Sequence, residues 1–264
     1  MIGRMSDLLK DKSIVIIGGT SGIGLSTASY LIDQGANVLI NGLETSESIP
    51  SSASLVIGDA RDEKTVDRSI ETCVAHFGKL DGLIHVAGGS GRKWGDGPLH
   101  DLTSEGWEET LKLNLTTVFY SNRAAIRQFL KSGSGGALVN LSSVLATYPS
   151  ADYFYTHAYA AAKSAIIGFS RSIAAYYAPQ NIRVNVVAPA LTDTPMAQRA
   201  VGREDIRSFI RTKQPLDGGR VGFQSDLHGA IGYFLGDASR FTTGQVLYVD
   251  GGWSLSEGQR TKDS

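Results

Sequence analysis

The stretch Ile14-Val15-Ile16-Ile17-Gly18-Gly19-Thr20-Ser21-Gly22-Ile23-Gly24 sets a branched apolar run directly before a glycine cluster. The apolar run reads as a buried strand. Residues 23–34 carry a helical pattern that ends at Gly35, a good helix stop. Glycines let the chain turn sharply and let a phosphate group approach the backbone. The helix that follows offers free N–H groups and a partial positive charge to a diphosphate. A strand before and a helix after are the context such a turn requires. A tight strand–helix turn with no ligand is the plainer alternative. A Walker P-loop is excluded, because no Gly-Lys-Ser/Thr follows.

Working outward, short apolar runs alternate with longer amphipathic ones. Residues 14–17, 38–40, 55–57, 83–86, 138–141 and 184–187 read as buried parallel strands. Residues 62–77, ending at Gly78, read as a helix. Thr103 is an N-cap for a long helix reaching about Leu130. Residues 157–177 form another helix, stopped near Pro179. This order predicts an α/β fold, a single-domain, doubly wound parallel sheet with right-handed crossovers. Two long irregular regions, 88–97 and 189–215, follow strands, where such sheets bind ligands. Residues 1–11 read as a loosely held arm, 189–215 as a lid over substrate, and 254–264 as a flexible tail.

The chain has 264 residues, 42% hydrophobic and 19% charged, with a net charge of -1. That suits one large domain and argues against a nucleic-acid partner. The single cysteine, Cys73, reads as core and cannot form an internal disulfide. No apolar stretch approaches about 18 residues, so no membrane partner and a cytoplasmic location are expected. The histidines and the cysteine lack metal-ligand spacing, so no metal site is expected.

Tyr159 and Lys163 stand one helical turn apart in Ala158-Tyr159-Ala160-Ala161-Ala162-Lys163, on the same side of a helix. A phenol normally loses its proton near pH ~10. A nearby cation lowers that value, but a shift to about 7 needs roughly 4 kcal/mol. One exposed lysine is too little, so a cationic cofactor is expected nearby. Alone, the pair equally describes a packed tyrosine and a solvated lysine.

The spacing Gly18-x3-Gly22-x-Gly24 resembles the glycine motif of the short-chain dehydrogenase/reductase family. Further motifs match in order: Asp59-Ala60, Ala87-Gly88, Asn114, Ser142-Ser143, Tyr159 with Lys163, Pro189 with Thr194, and Val249-Asp250-Gly251-Gly252. The resemblance covers residues 12–253 and implies a Rossmann-like sheet of about seven strands. It implies an oxidoreductase interconverting an alcohol and a ketone or aldehyde with NADP or NAD. Tyr159 would be the general acid/base and Lys163 would lower its pKa and hold the cofactor ribose. Ser143 would hydrogen-bond the substrate oxygen, and Asn114 would anchor a water relaying protons to Lys163. Cofactor contacts are expected at Gly18, Thr20, Ser21, Gly22, Ile23, Gly24, Asn41, Gly42, Asp59, Ala60, Ala87, Gly88, Tyr159, Lys163, Pro189, Thr192 and Thr194. A homotetramer, or a homodimer, is the expected assembly.

Some positions depart from the family pattern. Ile17 replaces a threonine, His85 and Val86 replace two asparagines, Ala190 replaces a glycine, and Thr192 stands at a usually aliphatic site. Strand phase favours Ser143 over Ser142 as the acting serine. Tyr153 and Tyr155 lack a lysine at +4 and are not the base. His85 lies within a strand and reads as a hydrogen-bonded core residue. His157 reads equally as a substrate contact or a solvated helix start. Trp94, Trp107 and Trp253 read as packing.

Where NAD-selecting members carry a carboxylate, this chain has Gly42, with Leu43 beside it. Nothing repels a 2′-phosphate and nothing cationic holds it, which tips the balance slightly to NADP. Substrate walls are expected from 89–100, 146–156 and 191–213, with Trp94, Tyr148, Tyr153, Phe154 and Met196 as candidates. Arg199, Arg203, Arg207, Arg211 and Lys213 could meet an anionic substrate, but their spacing favours one solvated helix face. A catalytically silent cofactor-binding scaffold, enoyl reduction and epimerisation are the rival readings.

Overall fold

A computed structural model describes residues 8–258. The ends of the expected arm and tail, 1–7 and 259–264, lie outside the described residues. Seven parallel strands run in the order β3-β2-β1-β4-β5-β6-β7. They are β1 (Ser13–Ile17), β2 (Asn37–Gly42), β3 (Ser54–Ile57), β4 (Gly82–His85), β5 (Gly136–Leu141), β6 (Ile182–Pro189) and β7 (Val246–Val249). Strand order reverses between β1 and β4, and that switch is where a parallel sheet opens a crevice at its carboxyl edge.

Side chains of β1 alternate between two cores. Val15 and Ile17 join Val66, Ile70, Ala125, Phe129 and Ala174 from α2 (Glu63–Phe77), α4 (Thr117–Ser132) and α5 (His157–Tyr177). Ile14 and Ile16 join Ala28, Leu31, Ile231 and Phe234 from α1 (Gly22–Asp33) and α8 (His228–Leu235). The helices expected over 23–34, 62–77 and 157–177 keep their limits to within a residue. Asp62 caps α2 by accepting from Lys64 N, and Gly78 ends it at φ 77°.

The structure differs from expectation in four places. Strand β3 is an edge strand, so Leu55 and Ile57 are exposed rather than buried. Residues 8–11 are not loose: Leu9 is fully buried, and its N–H and that of Asp11 bond to Gln34 O and Gly35 O. The start of the tail is also held, because Ser256 Oγ donates to Thr212 O at 2.6 Å. The expected long helix from Thr103 is three pieces. Thr103 does cap α3 (Ser104–Leu111), accepting from Gly106 N, but a π-helical turn, Lys112–Thr116, separates α3 from α4.

Buried polar bonds lock α5 to β5. Asn140 and Asn122 exchange side-chain hydrogen bonds of 2.9 Å, and Asn140 Nδ2 donates to Ser170 Oγ at 3.0 Å. Ser142 Oγ donates to Lys163 O at 2.8 Å, and Lys163 Nζ donates to Leu141 O at 2.9 Å. These groups lie where water cannot replace a lost partner, so they fix the pose of the helix. Among the described residues no helix is long and apolar enough to cross a membrane.

A third cluster seats the segment 189–215. Trp253 is fully buried among Val144, Ile206 and Ile210. Its ring meets Phe154 at 5.6 Å and Phe209 at 5.9 Å, and Nε1 donates to Tyr148 O at 3.0 Å. Trp253→Ala is expected to cost about 3–5 kcal/mol through the cavity it leaves. Urea unfolding of the two proteins measures this; a cost below about 1 kcal/mol contradicts the packing role.

Candidate active site

The crevice begins at the glycine turn. Gly18 has φ 86°, and a methyl group there would stand 2.5 Å from Ala87 N. Only glycine lets the turn after β1 lie on the chain leaving β4. Asn41 O of β2 accepts from Gly18 N at 3.0 Å and Gly19 N at 2.8 Å. Ser21 occupies the N-cap of α1 without a side-chain bond, and no acidic residue lies in the first turn. The first-turn N–H groups of α1 thus remain open toward an anion.

A cleft of about 620 Å³ lies beside this turn. Its wall includes Ile23, Asp59, Gly88, Ser143, Tyr159, Pro189, Thr192 and Thr194 from the expected set. Thr194 also packs near Gly22, at 3.5 Å from a methyl built there. Others of the set stand behind the wall. Asn41 is buried and its amide donates to Val56 O and Gly58 O, both at 3.1 Å, so its side chain is structural rather than a cofactor contact. Gly24 and Ala60 are likewise buried, and Asp59 is chelated by the Arg61 guanidinium at 2.7 and 2.9 Å.

Tyr159 lies in the first turn of α5 with Lys163 one turn on, the ammonium 5.6 Å from the phenol ring centre. Ser143 shares the cleft wall with Tyr159, close enough to pull its pKa down, and accepts from Leu145 N at 3.2 Å. Ser142 instead faces away and holds the α5 backbone. The two serines therefore divide as strand phase predicts, with Ser143 on the cleft.

Asn114 sits in the π-helical turn and is fully buried. Its Nδ2 donates to Gly89 O and Thr110 O, both at 2.9 Å, and its Oδ1 accepts from Gly89 N at 3.0 Å. Both amide donors are thus engaged, and one Oδ1 lone pair remains for a further donor. The side chain clamps the loop after β4. Gly88 allows this crowding, since a methyl there would stand 2.7 Å from Asn114 Oδ1 and 3.4 Å from Lys163 Nζ.

Burial governs the protonation of these groups. It pushes the Tyr159 phenol above its usual range, while Ser143 pulls in the other direction. It pushes the Lys163 ammonium down to about 8. The expected lowering of Tyr159 by Lys163 is therefore not a property of the chain alone. Burial, and next the Lys163 charge, hold His85 down to about 3, so the ring is neutral. Its Nε2 lies 3.0 Å from Ala87 O, an acceptor only, so that nitrogen carries the proton. Nδ1 then accepts from Ser121 Oγ at 2.8 Å. His85 is the expected hydrogen-bonded core residue, and it steadies the Ala87 carbonyl beside the glycine turn.

Among the candidates for the substrate wall, Trp94, Phe154 and Met196 line the cleft with Trp253. Tyr148 and Tyr153 do not; they pack on Tyr248 and Phe209 at 5.3 and 5.1 Å. His157 is exposed outside the cleft wall. The arginines expected on one helix are split by Gly202 between α6 (Gln198–Val201) and α7 (Glu204–Lys213), and only Arg199 reaches the cleft. Among the described residues no cluster of His, Cys, Asp or Glu is placed to hold a metal ion.

Asp96 is a site residue that sequence reading missed. Its buried carboxylate accepts from Ala158 N at 3.0 Å and Tyr159 N at 2.9 Å. It caps α5 from a loop 62 residues away, while Thr156 at the N-cap makes no side-chain bond. No local pattern can reveal such a cap. Asp96→Ala is expected to cost about 1–3 kcal/mol of stability by orphaning two buried donors. It should lower kcat at least tenfold, by roughly the effect of a misplaced reacting group. Asp96→Asn, which keeps one acceptor, should recover much of both; melting curves and steady-state kinetics decide it.

Comparison with known proteins bears on this geometry. The model of a family described as enoyl-(acyl carrier protein) reductase matches residues 18–254. Cis-4-hydroxycyclohexanecarboxylate dehydrogenase of Sinomonas cyclohexanicum is 33% identical, over 95% of this chain and 99% of that protein. NADP-dependent (R)-specific alcohol dehydrogenase of Lentilactobacillus kefiri is 32% identical, over 95% of this chain and 99% of that protein. A solved short-chain type dehydrogenase/reductase from Mycobacterium ulcerans superposes with a TM-score of 0.85 at 29% identity, covering 94% of this chain and 92% of that one. The two named enzymes are dehydrogenases of hydroxylated compounds, and enoyl reduction is not favoured.

Proposed function

The chain belongs to the short-chain dehydrogenase/reductase family, and we propose that it interconverts an alcohol and a ketone or aldehyde with Tyr159 moving the proton. NAD(P)-dependent oxidoreduction at a CH–OH group is the activity of the family members it resembles. The observation that carries the residue roles is Tyr159 and Ser143 together on the cleft wall, with Lys163 one turn behind.

The residues suit a dinucleotide. The open N-terminus of α1 and the close-packed Gly18 turn suit its diphosphate, and Gly88, Pro189, Thr192 and Thr194 line the adjoining wall. When bound, the cofactor supplies or accepts the hydride. Tyr159 gives a proton to the carbonyl oxygen in reduction and takes the hydroxyl proton in oxidation. Ser143 holds that same oxygen by a hydrogen bond and steadies the charge gathering on it. Lys163, kept next to Tyr159 by Leu141 O, stabilises the phenolate when charged. Asn114 keeps the floor of the cleft in place through Gly89 and has one lone pair left for a relay water.

NADP is the favoured dinucleotide of the two. No carboxylate faces the ribose at Gly42, and a methyl there would stand 2.2 Å from Thr20 Oγ1. Leu43, exposed at that corner, offers a phosphate no charge, and Arg61 on the same cleft is paired with Asp59 and Glu109. The preference should thus be under about tenfold in kcat/KM, and Leu43→Arg should raise it by about tenfold or more through a phosphate contact. A wild-type preference for NAD sinks this choice. A homotetramer in the cytoplasm completes the reading; exposed Phe119 on α4 and Tyr176 on α5 give it apolar surface to cover.

Tyr159→Phe should keep NADPH binding and lower kcat by at least about a thousandfold, the upper range for a general acid. For the wild type, reduction needs the phenol and should slow as pH rises, while oxidation needs the phenolate and should speed up. Turnover that survives in Tyr159→Phe overturns the proton assignment. Cofactor binding with no turnover of any alcohol or ketone by the wild type would favour the scaffold reading instead.

A further inference from the structure

We infer that Arg92 and Arg199 form an anion subsite in the cleft wall, and that the substrate carries an acid group remote from its reacting carbon. This deepens the oxidoreductase reading above and rests on it. The arginines nearest them, and the others around the cleft, are neutralised locally: Arg203 by Asp205, Arg207 and Arg211 by Glu204, Arg220 by Asp217 and Asp226, and Arg61 by Asp59 and Glu109. Arg92 and Arg199 have no carboxylate partner among the described residues, and both line the cleft. Arg92 makes only a long contact to Tyr153 O, at 3.5 Å, and lies 5.4 Å over the Tyr155 ring.

The two side chains also repel one another. Burial, then Arg92 and Arg203, hold the Arg199 guanidinium below its usual range; Asp205, which is bonded to Arg203 and lies off the cleft wall, offsets this only in part. The one carboxylate of the wall, Asp59, is already chelated by Arg61. Two like charges on one cleft wall, neither in a direct ion pair, gain from an anion between them. Guanidinium groups match the oxygen pairs of carboxylate and sulfonate. Arg92 comes from the loop after β4, Arg199 from α6 after β6, and Tyr155 from the segment leading to Tyr159. The wall between is largely apolar, with Leu113, Leu145, Phe154 and Met196. An apolar body bearing one terminal acid group fits that lining.

The test compares kcat/KM with NADPH for 4-oxocyclohexanecarboxylate, 4-oxopentanoate and their methyl esters, with 4-oxopentane-1-sulfonate to separate a carboxylate reader from a general anion reader. The acids should exceed their esters by roughly 10- to 100-fold, the range of a charge-assisted hydrogen bond. In Arg92→Gln and Arg199→Gln this ratio should shrink toward one through KM, and Arg92→Lys should restore part of it. The NADPH dissociation constant should stay within about twofold throughout, which also shows that the variants fold. Equal use of acids and esters by the wild type overturns the subsite. So does an unchanged ratio in the glutamine variants, or weakened NADPH binding in its place. Turnover of esters without an acid preference sinks the anion subsite alone. NADPH binding with no ketone turned over sinks the oxidoreductase reading with it.

Discussion

The clamp between the Asn114 carboxamide and the backbone of Gly89 holds the site together. It joins the π-helical turn between α3 and α4 to the loop leaving β4. A regular helix gives residue i+4 the carbonyl of residue i; a π-helical turn breaks that register and rotates a side chain inward. Here the rotated side chain finds both backbone groups of one residue, Gly89. Gly88 is then pressed between Asn114 and Lys163, so that α5, the π-helical turn and the β4 loop share one small volume. Displacing any of the three moves the others, because interiors this dense do not deform smoothly.

Electrostatics in that volume are set by dehydration. Tyr159 is driven toward the neutral phenol, Lys163 toward the neutral amine and His85 firmly to the neutral ring. A buried phenol and a buried amine each resist charge, but an ion pair between them, next to a further cation, relieves both. The protein therefore presents groups whose charge state waits on what fills the cleft. His85 stands apart from this exchange, because both of its ring nitrogens are engaged on Ser121 and Ala87.

Much of the fold was legible because strands and helices carry different periods. The runs 14–17 and 138–141 and the helix over 157–177 needed only apolar spacing and glycine or proline stops. What failed was what lies outside the local pattern. Leu55 and Ile57 look like core residues, but a strand with one neighbour leaves them exposed. Lys112–Thr116 holds no glycine or proline, so nothing in the local sequence marks the π-helical turn. The arginine stripe suggested one helix because its four-residue spacing says nothing of Gly202, where α6 stops. In the site, Tyr159, Lys163 and Ser143 came from motif order and strand phase. Asp96 was invisible, because its partners are distant in sequence and its own neighbours are glycines.

That distant cap gives the helix carrying the phenol an unusual dependence. The first amides of α5 owe their hydrogen bonds to a side chain on the rim loop, so loosening the rim frays the helix at the same instant. Loosening of that loop and fraying at Tyr159 are therefore one event rather than two. Amide exchange at Ala158 and Tyr159 becomes a clock for that loosening, and a ligand that stills the loop slows the clock.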